Sequence, residues 1–189
     1  MALHNTAVSR AFTKQSVAYD ENETGNPVLQ YMRTQVYQHL SGFLKPGCHI
    51  LELNAGTGID ALHFLASGHR VHAIDISEGM IRELEKKREA FNQAGNFTIQ
   101  QLSYENINLV STGNFDYVFS NFGGLNCIQD IALVTKHLPL LLKPKAYVTF
   151  VIMPPVCVWE LLSVTRGNFS HAFRRFKKDG VLAYLEGEY

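Results

Sequence analysis

The amino-acid sequence predicts a doubly wound α/β fold, in which a mostly parallel sheet carries helices on both faces. Apolar runs of strand length alternate with helical stretches from residue 47 onward, which predicts right-handed strand–helix–strand units. A Gly-rich turn follows the first of these runs, and an acidic residue ends the second. The chain has 189 residues, 46% apolar and 18% charged, enough for one domain of this class. A ligand is therefore expected outside the carboxyl ends of the strands, where the strand order reverses.

Two helices are predicted before the sheet begins. The first includes residues 11–20, and a polar break over residues 20–26 separates it from the second. Asn26 can cap the second helix, and Pro27 occupies its first position, where a missing N–H costs nothing. This helix should end near Ser41. Its apolar stripe consists of Val28, Met32, Val36 and Leu40.

Five strands follow from the positions of the apolar runs. They are predicted over residues 48–53, 71–75, 97–102, 115–120 and 147–153. Because long connections separate them, neighbouring strands should be parallel and buried on both faces.

Helices are predicted in the connections. The first covers residues 59–67 and is closed by Gly68. Ser77 is a candidate N-cap for a longer helix. The residues that share one face of that helix are Met80, Leu84 and Phe91. A third helix, before the fifth strand, carries Ile128, Ile131, Val134 and Leu138.

The turn from Glu52 to Gly58 joins a buried strand to a helix. Its sequence, Glu-Leu-Asn-Ala-Gly-Thr-Gly, provides small residues that accept positive φ and let a ligand approach the backbone. The N-terminus of the next helix adds N–H groups and a partial positive charge, which suit a carboxylate or a phosphate. The alternative is a tight turn whose glycines serve only packing.

Asp75 ends the second strand, beside the Gly-rich turn at the same edge of the sheet. A carboxylate there can accept two hydrogen bonds from a ribose diol. Its alternative role is a helix cap or a solvated strand end. The turn and Asp75 together favour a nucleoside-containing ligand. Residues 56–61 also fit the dinucleotide fingerprint G-x-G-x-x-[GA], so these two features leave the kind of nucleoside open.

Further motifs follow in a fixed order. Residues 114–126 read Asn-Phe-Asp-Tyr-Val-Phe-Ser-Asn-Phe-Gly-Gly-Leu-Asn, and residues 141–146 read Leu-Leu-Lys-Pro-Lys-Ala. With these segments, the Gly-rich turn and Asp75, the sequence resembles the class I S-adenosylmethionine-dependent methyltransferases over residues 36–153. The resemblance is to the group acting on small molecules. It implies a Rossmann-like methyltransferase fold with S-adenosylmethionine as the cofactor.

The resemblance also implies roles for individual residues. Ile76 and Met80 would pack against the adenine, and Ser103 or Tyr104 would flank its edge. Asn121 and Phe122 would lie in the loop beneath the methionine part of the cofactor. The candidate cofactor-binding residues are Glu52, Asn54, Ala55, Gly56, Thr57, Gly58, Asp75, Ile76, Met80, Ser103, Tyr104, Asn121 and Phe122.

The first helix resembles the N-terminal lid of this family. Tyr19 would then reach the cofactor carboxylate or the substrate, which makes it the one catalytic candidate; the alternative is a tyrosine packed on the surface. Asn126 is a second candidate for substrate contact. A general base is optional for this reaction, and no residue of the sequence stands out as one, so its use is left open. No His, Cys and Asp cluster has metal-ligand spacing, so we predict no catalytic metal. His49, His63 and His72 are expected to have core or surface roles, and Cys127 to be a buried thiol.

The sequence departs from the family at three places. Asn54 replaces the first glycine of the motif, and asparagine tolerates left-handed geometry best among the other residues. Lys145 and Ala146 replace the usual Gly-Gly before the fifth strand. The family's two further antiparallel strands have room here for one, over residues 180–185, which favours a fragment over an abbreviated edge. The predicted divisions are lid helices at 1–46, a cofactor-binding core at 47–153, and a substrate-side helix with the start of an edge strand at 154–189.

These features predict methyl transfer to a small-molecule acceptor. The alternatives are a nicotinamide-dependent oxidoreductase and a catalytically silent nucleotide-binding module. Lys+Arg and Asp+Glu number 17 each, so no net field recruits nucleic acid, and the sequence shows neither a signal peptide nor a membrane span. Three cysteines without disulfide spacing favour the cytoplasm.

The basic C-terminal region interleaves arginines and lysines with aromatic residues. Phe169, Phe173 and Phe176 fit one helical face, which predicts an amphipathic helix packed on the domain. The alternative is a contact with an anionic substrate or nucleic acid.

Overall fold

A computed structural model describes residues 2–91, 95–128, 130–154 and 156–176. Its strands are β1 His49–Leu53, β2 Arg70–Asp75, β3 Phe97–Gln101, β4 Phe115–Ser120 and β5 Leu142–Phe150. Its longer helices are α1 Ala2–Thr24, α2 Pro27–Leu40, α3 Ile59–Ala66 and α4 Glu78–Phe91. The described residues also form short α-helices of one turn each, α5 Ala132–Thr135, α6 Leu138–Leu141, α7 Val158–Leu161 and α8 Phe169–Ala172, and several 3-10 turns.

The five strands form one parallel sheet in the order β3-β2-β1-β4-β5. The chain proceeds outward from β1 to β3, then crosses back so that β4 pairs with the other side of β1. The strand order therefore reverses between β1 and β4. This confirms the doubly wound Rossmann-like fold predicted from the sequence.

Two apolar clusters cover the two faces of the sheet. Ile50 of β1 packs with Phe64 of α3 and Leu84 of α4 on one face. Leu51 and Leu53 point to the opposite face, because successive side chains of a strand alternate. There the sheet is covered by residues from the later connections: Ile107, Leu125, Val134 and Leu138.

The N-terminal helices differ in part from the prediction. α1 continues to Thr24, so the polar break predicted over residues 20–26 is reduced to Gly25 and Asn26. The helix continues because Glu23 is buried and forms an ion pair with Arg33 at 2.7 Å, a tertiary contact that outweighs the local polarity.

The start of α2 is as predicted, whereas its predicted apolar stripe is only half correct. Asn26 caps the helix, its Oδ1 accepting hydrogen bonds from the N–H groups of Val28 and Leu29. Val28 and Met32 are exposed, however, and the buried positions of α2 are Arg33 and Leu40. A charged residue, Arg33, therefore occupies a buried position on this helix.

Other predictions need correction on the later connections. Phe91 is exposed, unlike Met80 and Leu84 on the same helix. The helix predicted through residues 128–138 is divided between α5 and α6, although Val134 and Leu138 are buried as expected. β5 begins at Leu142 rather than at residue 147, because a bulge with Lys145 at φ +64° lets the strand start earlier beside Phe115.

The prediction of an amphipathic helix near the C-terminus is wrong. Phe169, Phe173 and Phe176 lie on short turns, and each side chain is more than half exposed. The strand predicted over residues 180–185 lies outside the described residues. Among the helices that are described, none combines the length and apolar character needed to cross a bilayer.

Candidate functional site

A cleft of about 760 Å³, including solvent at its mouth, lies at the carboxyl ends of β1 and β2, with one wall formed by α1. The predicted site residues that line it are Tyr19, Asn54, Ala55, Gly56, Thr57, Asp75, Ile76, Met80, Tyr104, Asn121 and Phe122. Glu52, Gly58, Ser103 and Asn126 do not line it. The cleft adjoins the reversal of strand order, where ligands of doubly wound folds bind.

The Gly-rich turn takes the backbone geometry that its sequence predicts. Asn54, Gly56 and Gly58 have φ values of +46°, +58° and +86°, in the left-handed region. Gly58 is the N-cap of α3 and makes no side-chain hydrogen bond to the first turn. A Cβ on Gly58 would also lie 2.5 Å from the end of the Leu84 side chain, so a larger residue would displace that leucine in addition to straining the backbone.

Asn54 uses its side chain to join β1 to β4. Its Oδ1 accepts a hydrogen bond from the Ser120 hydroxyl at 2.6 Å, and its Nδ2 donates to the Asn121 carbonyl at 3.2 Å. The same side chain occupies the space beside Gly124, where an added Cβ would come within 2.3 Å of it. The replacement of glycine at position 54 therefore depends on glycine at position 124.

Asp75 holds the Gly-rich turn against the end of β2. Its Oδ2 accepts a hydrogen bond from the N–H of Gly56 at 2.9 Å, and its Oδ1 accepts one from the N–H of Ser77 at 2.8 Å. Burial raises the pKa of the Asp75 carboxyl, and these backbone N–H groups oppose the rise. Each carboxylate oxygen can accept a second hydrogen bond, so the group can still serve a ligand in the cleft.

Glu52 lies behind the cleft, in the middle of the sheet. Its side chain is buried, and its Oε2 has no hydrogen-bond partner among the described residues. Burial, with the negative charge of Asp60 second, raises the pKa of the Glu52 carboxyl well above its ordinary value.

Arg33 is the centre of an ion-pair network at one end of the cleft. Its guanidinium donates to Glu23 of α1 at 2.7 Å and to Asp60 of α3. Asp60 also accepts hydrogen bonds from the Tyr37 hydroxyl, at 2.5 Å, and from the Asn121 amide, at 3.0 Å. Burial tends to lower the pKa of Arg33, but the charge of Asp60 and the hydrogen bonds to Asp60 and Glu23 outweigh burial and raise that pKa. The network thus fixes α1, α2, α3 and the loop after β4 to one another.

Phe122 completes this end of the cleft. It has φ +48°, a left-handed conformation that is uncommon for a bulky residue, and its ring lies 4.4 Å from the Arg33 guanidinium carbon. The Asn121 side chain accepts a hydrogen bond from the Phe122 N–H at 2.9 Å and so supports the turn. Such conformations persist where the surrounding contacts over-determine them, as they do here.

α1 lies across the N-terminus of α4. The Ser9 hydroxyl donates to the Ile76 carbonyl at 3.2 Å, and Thr13 contacts both the Ser77 hydroxyl and the N–H of Gly79. A Cβ added to Gly79 would lie 2.8 Å from the Thr13 backbone, so the two helices meet at van der Waals contact.

The C-terminal part of α1 is held to the Gly-rich turn. Asp20 forms an ion pair with Lys87 of α4 at 2.5 Å and accepts a hydrogen bond from the Thr57 hydroxyl. Lys87 also donates to the Thr57 carbonyl at 2.7 Å. Val8, Phe12 and Tyr19 of α1 face the cleft.

The remaining polar groups of the cleft keep their protons. Burial raises the pKa of the Tyr19 hydroxyl to about 12, with Glu23 contributing second, and burial also raises the pKa of Tyr104. The Tyr104 hydroxyl donates to the Gly124 carbonyl at 3.3 Å. Cys127 lines the cleft, and burial raises the pKa of its thiol, so it is not a thiolate at neutral pH.

Two predicted residues have structural roles outside the cleft. Ser103 is the N-cap of a 3-10 turn, where its hydroxyl accepts a hydrogen bond from the N–H of Glu105. Asn126 is exposed and exchanges two hydrogen bonds with the Met153 backbone, at 2.8 and 3.1 Å. Among the described residues, no group of three His, Cys, Asp or Glu side chains could hold a metal ion.

Sequence reasoning missed several residues of the cleft. Phe12 and Val8 fall on a helix without a clear apolar face. Arg33 lies next to the apolar stripe predicted for α2, where a charged residue is not expected to be buried. Arg33 shares a helix face with Tyr37 and Leu40, at spacings of four and seven residues, and this was the available signal. Asp60 follows the Gly-rich turn in the first turn of α3, where an acidic residue is common for other reasons.

The fold and this cleft define a Rossmann-like α/β domain with an open cleft at the carboxyl ends of its central strands. A family model described as a methyltransferase domain matches residues 50–145, just over half of the chain. The chain belongs to this methyltransferase domain family. The family implies S-adenosylmethionine as the cofactor. A comparison with curated proteins finds no match.

Several solved structures share the fold at low sequence identity. A protein described as an S-adenosyl-L-methionine-dependent methyltransferase from Methanococcus maripaludis is 16% identical with a TM-score of 0.59, the alignment covering 71% of this chain and 60% of that one. DhpI in complex with SAM and HEP is 20% identical with a TM-score of 0.66, covering 97% and 78%. A phosphoethanolamine N-methyltransferase from Haemonchus contortus is 24% identical with a TM-score of 0.52, covering 61% and 27%. The chain therefore spans less than two thirds of the first and third of these proteins.

Proposed function

We propose that this chain transfers a methyl group from S-adenosylmethionine to a small-molecule acceptor. The observation that carries the proposal is the contact between Asp75 and Gly56, which brings a buried carboxylate and a left-handed Gly-rich turn together at the strand reversal. The family match supports the cofactor, and a complex of DhpI with SAM and HEP supports a small acceptor by analogy of fold.

The residues present fit this cofactor. Asp75 retains lone pairs for the two ribose hydroxyls, and the first-turn N–H groups of α3 suit a carboxylate because Gly58 provides no side-chain cap. Ile76, Met80 and Tyr104 offer apolar surface for a purine ring. We assign Tyr19 to the rim of the site, because its ring lies 4.0 Å from the position that a Cβ on Gly56 would take.

The bound cofactor supplies an already activated methyl group, so the main work of the protein is alignment, for which proximity and orientation contribute about 7–11 kcal/mol. The chain's own residues hold the cofactor and keep water away from it. Phe12 and Val8 close the cleft from the side of α1, and Phe122 closes it from the loop after β4. Tyr19 and Tyr104, with raised pKa values, act as hydrogen-bond donors rather than as bases.

The proposal is tested first by binding. Calorimetry should detect S-adenosylmethionine and S-adenosylhomocysteine, and Asp75→Ala should weaken both by about 10- to 150-fold, the value of one hydrogen bond to a charged group. Asp130→Ala is the matched control, because Asp130 is exposed and only caps a turn at Ala132. NAD as a competitor addresses the nicotinamide-dependent alternative.

Methyl transfer is tested next, with tritiated S-adenosylmethionine and a metabolite extract. Tritium recovered in a small molecule supports the proposed methyltransferase activity. Binding of the cofactor without transfer of its methyl group to any acceptor supports the catalytically silent nucleotide-binding module. Failure of the folded chain to bind either form of the cofactor, or tighter binding of NAD, would sink the proposal.

A further inference from the structure

A second cavity lies at the amino ends of β1, β2 and β3, the edge of the sheet opposite the cleft. It is open to solvent, its volume of about 530 Å³ includes the solvent at its mouth, and Arg70 is exposed. Its polar lining includes His49, Arg70, His72, Asn96, Thr98 and Ser111. Nothing in the proposed methyl transfer uses these residues.

The strand register places the basic side chains side by side. His49 of β1 is the Cα partner of Arg70 of β2, and His72 of β2 is the partner of Thr98 of β3. Partners in adjacent parallel strands point to the same face of the sheet. Further along the same strands, this face of the sheet is apolar and carries Leu51 and Ile74. The cavity therefore lies at the polar amino end of a sheet face that is otherwise apolar and buried.

Positive charge in this cavity is not balanced by carboxylates. The described residues give Arg70 no ion pair, and none of the lining residues is acidic. The nearby carboxylate is that of Asp116 in β4, and it is already engaged. Both of its oxygens accept from Lys143 of β5 at 2.8 Å, and one also accepts from the backbone N–H of His49 at 2.9 Å.

The two imidazoles are positioned differently. The His72 ring is buried, and both of its nitrogens are hydrogen-bonded, one to the Thr98 hydroxyl at 2.7 Å and the other to Gln100 at 3.3 Å. The ring is therefore a rigid part of the cavity lining. The His49 ring packs on Phe115 with 4.5 Å between centroids and is half-buried. Burial, followed by the charges of Arg70, His72 and Lys143, lowers the pKa of His49, while Asp116 opposes the change.

We propose that this cavity binds a small phosphate-type oxyanion between the Arg70 guanidinium and the His49 ring. A guanidinium fork matches the oxygens of phosphate and sulfate, and the Ser111 hydroxyl and the Asn96 amide add further donors to the lining. The anion is either free phosphate or the phosphate group of a small metabolite, which share this chemistry.

Binding at this site is linked to protonation of His49. A bound anion favours the charged imidazole, so affinity should rise as the pH falls from 8 to 6. Because the cavity and the cofactor cleft lie at opposite edges of the sheet, occupation of one should leave the affinity of the other unchanged.

The test is a titration of the full chain, followed by the imidazole C–H signals in NMR at constant ionic strength. Sulfate serves for the pH comparison, because its charge is constant between pH 6 and 8. We expect saturable shifts of the His49 and His72 signals, with binding about fivefold tighter at pH 6. His49→Gln should remove the pH dependence, and Arg70→Gln should weaken binding by about tenfold or more.

Arg82→Gln is the control, because Arg82 is exposed on α4 and removal of its charge leaves the cavity intact. Tighter binding of glycerol 3-phosphate than of inorganic phosphate would identify a metabolite phosphate, and equal binding would identify free phosphate. Shifts that do not saturate, or that are the same in Arg70→Gln as in the unaltered chain, would overturn the proposal. Binding of S-adenosylhomocysteine is measured in parallel, so that failure of either site is distinguished from failure of the other.

Discussion

The guanidinium of Arg33 illustrates how much one buried side chain contributes to the shape of the cleft. It holds carboxylates of α1 and α3 and stacks on Phe122, although its own helix would pack more simply with an apolar residue at that position. Removing one partner of a buried ion pair leaves the other charges without compensation, which costs about 3–5 kcal/mol.

Arg33→Met should therefore destabilise the chain by about 3–5 kcal/mol, or about 6–20 °C in Tm at this chain length. Arg82→Met, in an exposed pair with Glu78, should change stability by less than about 0.5 kcal/mol. Thermal unfolding followed by circular dichroism measures both. Equal small losses in the two variants would show that the buried network is not a source of stability.

Glu52 gives the stability of the fold a distinctive pH dependence. The unfolded chain releases the Glu52 proton near the ordinary pKa of 4.5, whereas burial raises the pKa in the folded chain. The folded state therefore binds more protons between these two pKa values, and stability falls as the pH rises through that interval.

Glu52→Gln should remove this dependence. The variant should be more stable than the unaltered chain at pH 7, by about 1 kcal/mol or more, and the difference should disappear below about pH 4. Urea unfolding across the pH range is the measurement, with Glu78→Gln on the exposed face of α4 as the control. Parallel stability profiles for Glu52→Gln and the unaltered chain would contradict the assignment.

Among the elements, α1 depends on one close approach to α4. A methyl group on Gly79 would meet the Ser16 hydroxyl at 2.6 Å and the Thr13 Cα and carbonyl oxygen at 2.8 Å each. Two of these atoms belong to the backbone, so the helix itself has to move. The sheet and its two apolar clusters do not depend on this contact.

Gly79→Ala should therefore displace α1 while the core stays folded. We expect a loss of about 1–3 kcal/mol in stability, about tenfold weaker cofactor binding, and faster proteolysis within α1. Gly42→Ala is the matched control, because its nearest contact would be an ordinary 3.6 Å. Unchanged binding with intact α1 would show that the helices can separate without effect on the cleft.

The elements also show where sequence reasoning succeeds. β4 has the predicted bounds, and β1 and β2 differ by a residue at one end, because buried parallel strands are continuous apolar runs between strong turn signals. The errors fall where tertiary contacts decide. α1 runs four residues past its predicted end because Glu23 and Asp20 find partners elsewhere in the fold. α5 and α6 are separate because Pro139, in the first turn of α6, lacks the N–H that a continuous helix would need.

For the whole molecule, the sheet is asymmetric. Within the described ranges, β5 pairs with β4 on one side and with no strand on the other. Tyr147 and Val148 of β5 are partly exposed, and so are Ile152 and Met153 immediately after it. An exposed apolar edge strand can template pairing with another chain.

The topology of the site was predictable, whereas its closure was not. The positions of the Gly-rich turn and Asp75 in the site could be predicted, because local sequence determines where strands end and which residues accept left-handed backbone geometry. Arg33, Phe12 and Asp60 reach the cleft from helices whose packing depends on distant partners, and Asn54 is tolerated because position 124 is glycine. Such pairs become visible only when both members are placed in space.

α1 is attached at two points, near Ser9 and Thr13 at one end and near Asp20 at the other, with the cleft between them. Opening either attachment should move Phe12 and Tyr19 away from the cleft and give a bound cofactor a second way out besides the solvent-filled mouth. We therefore expect movement of α1 to change the rates at which the cofactor enters and leaves.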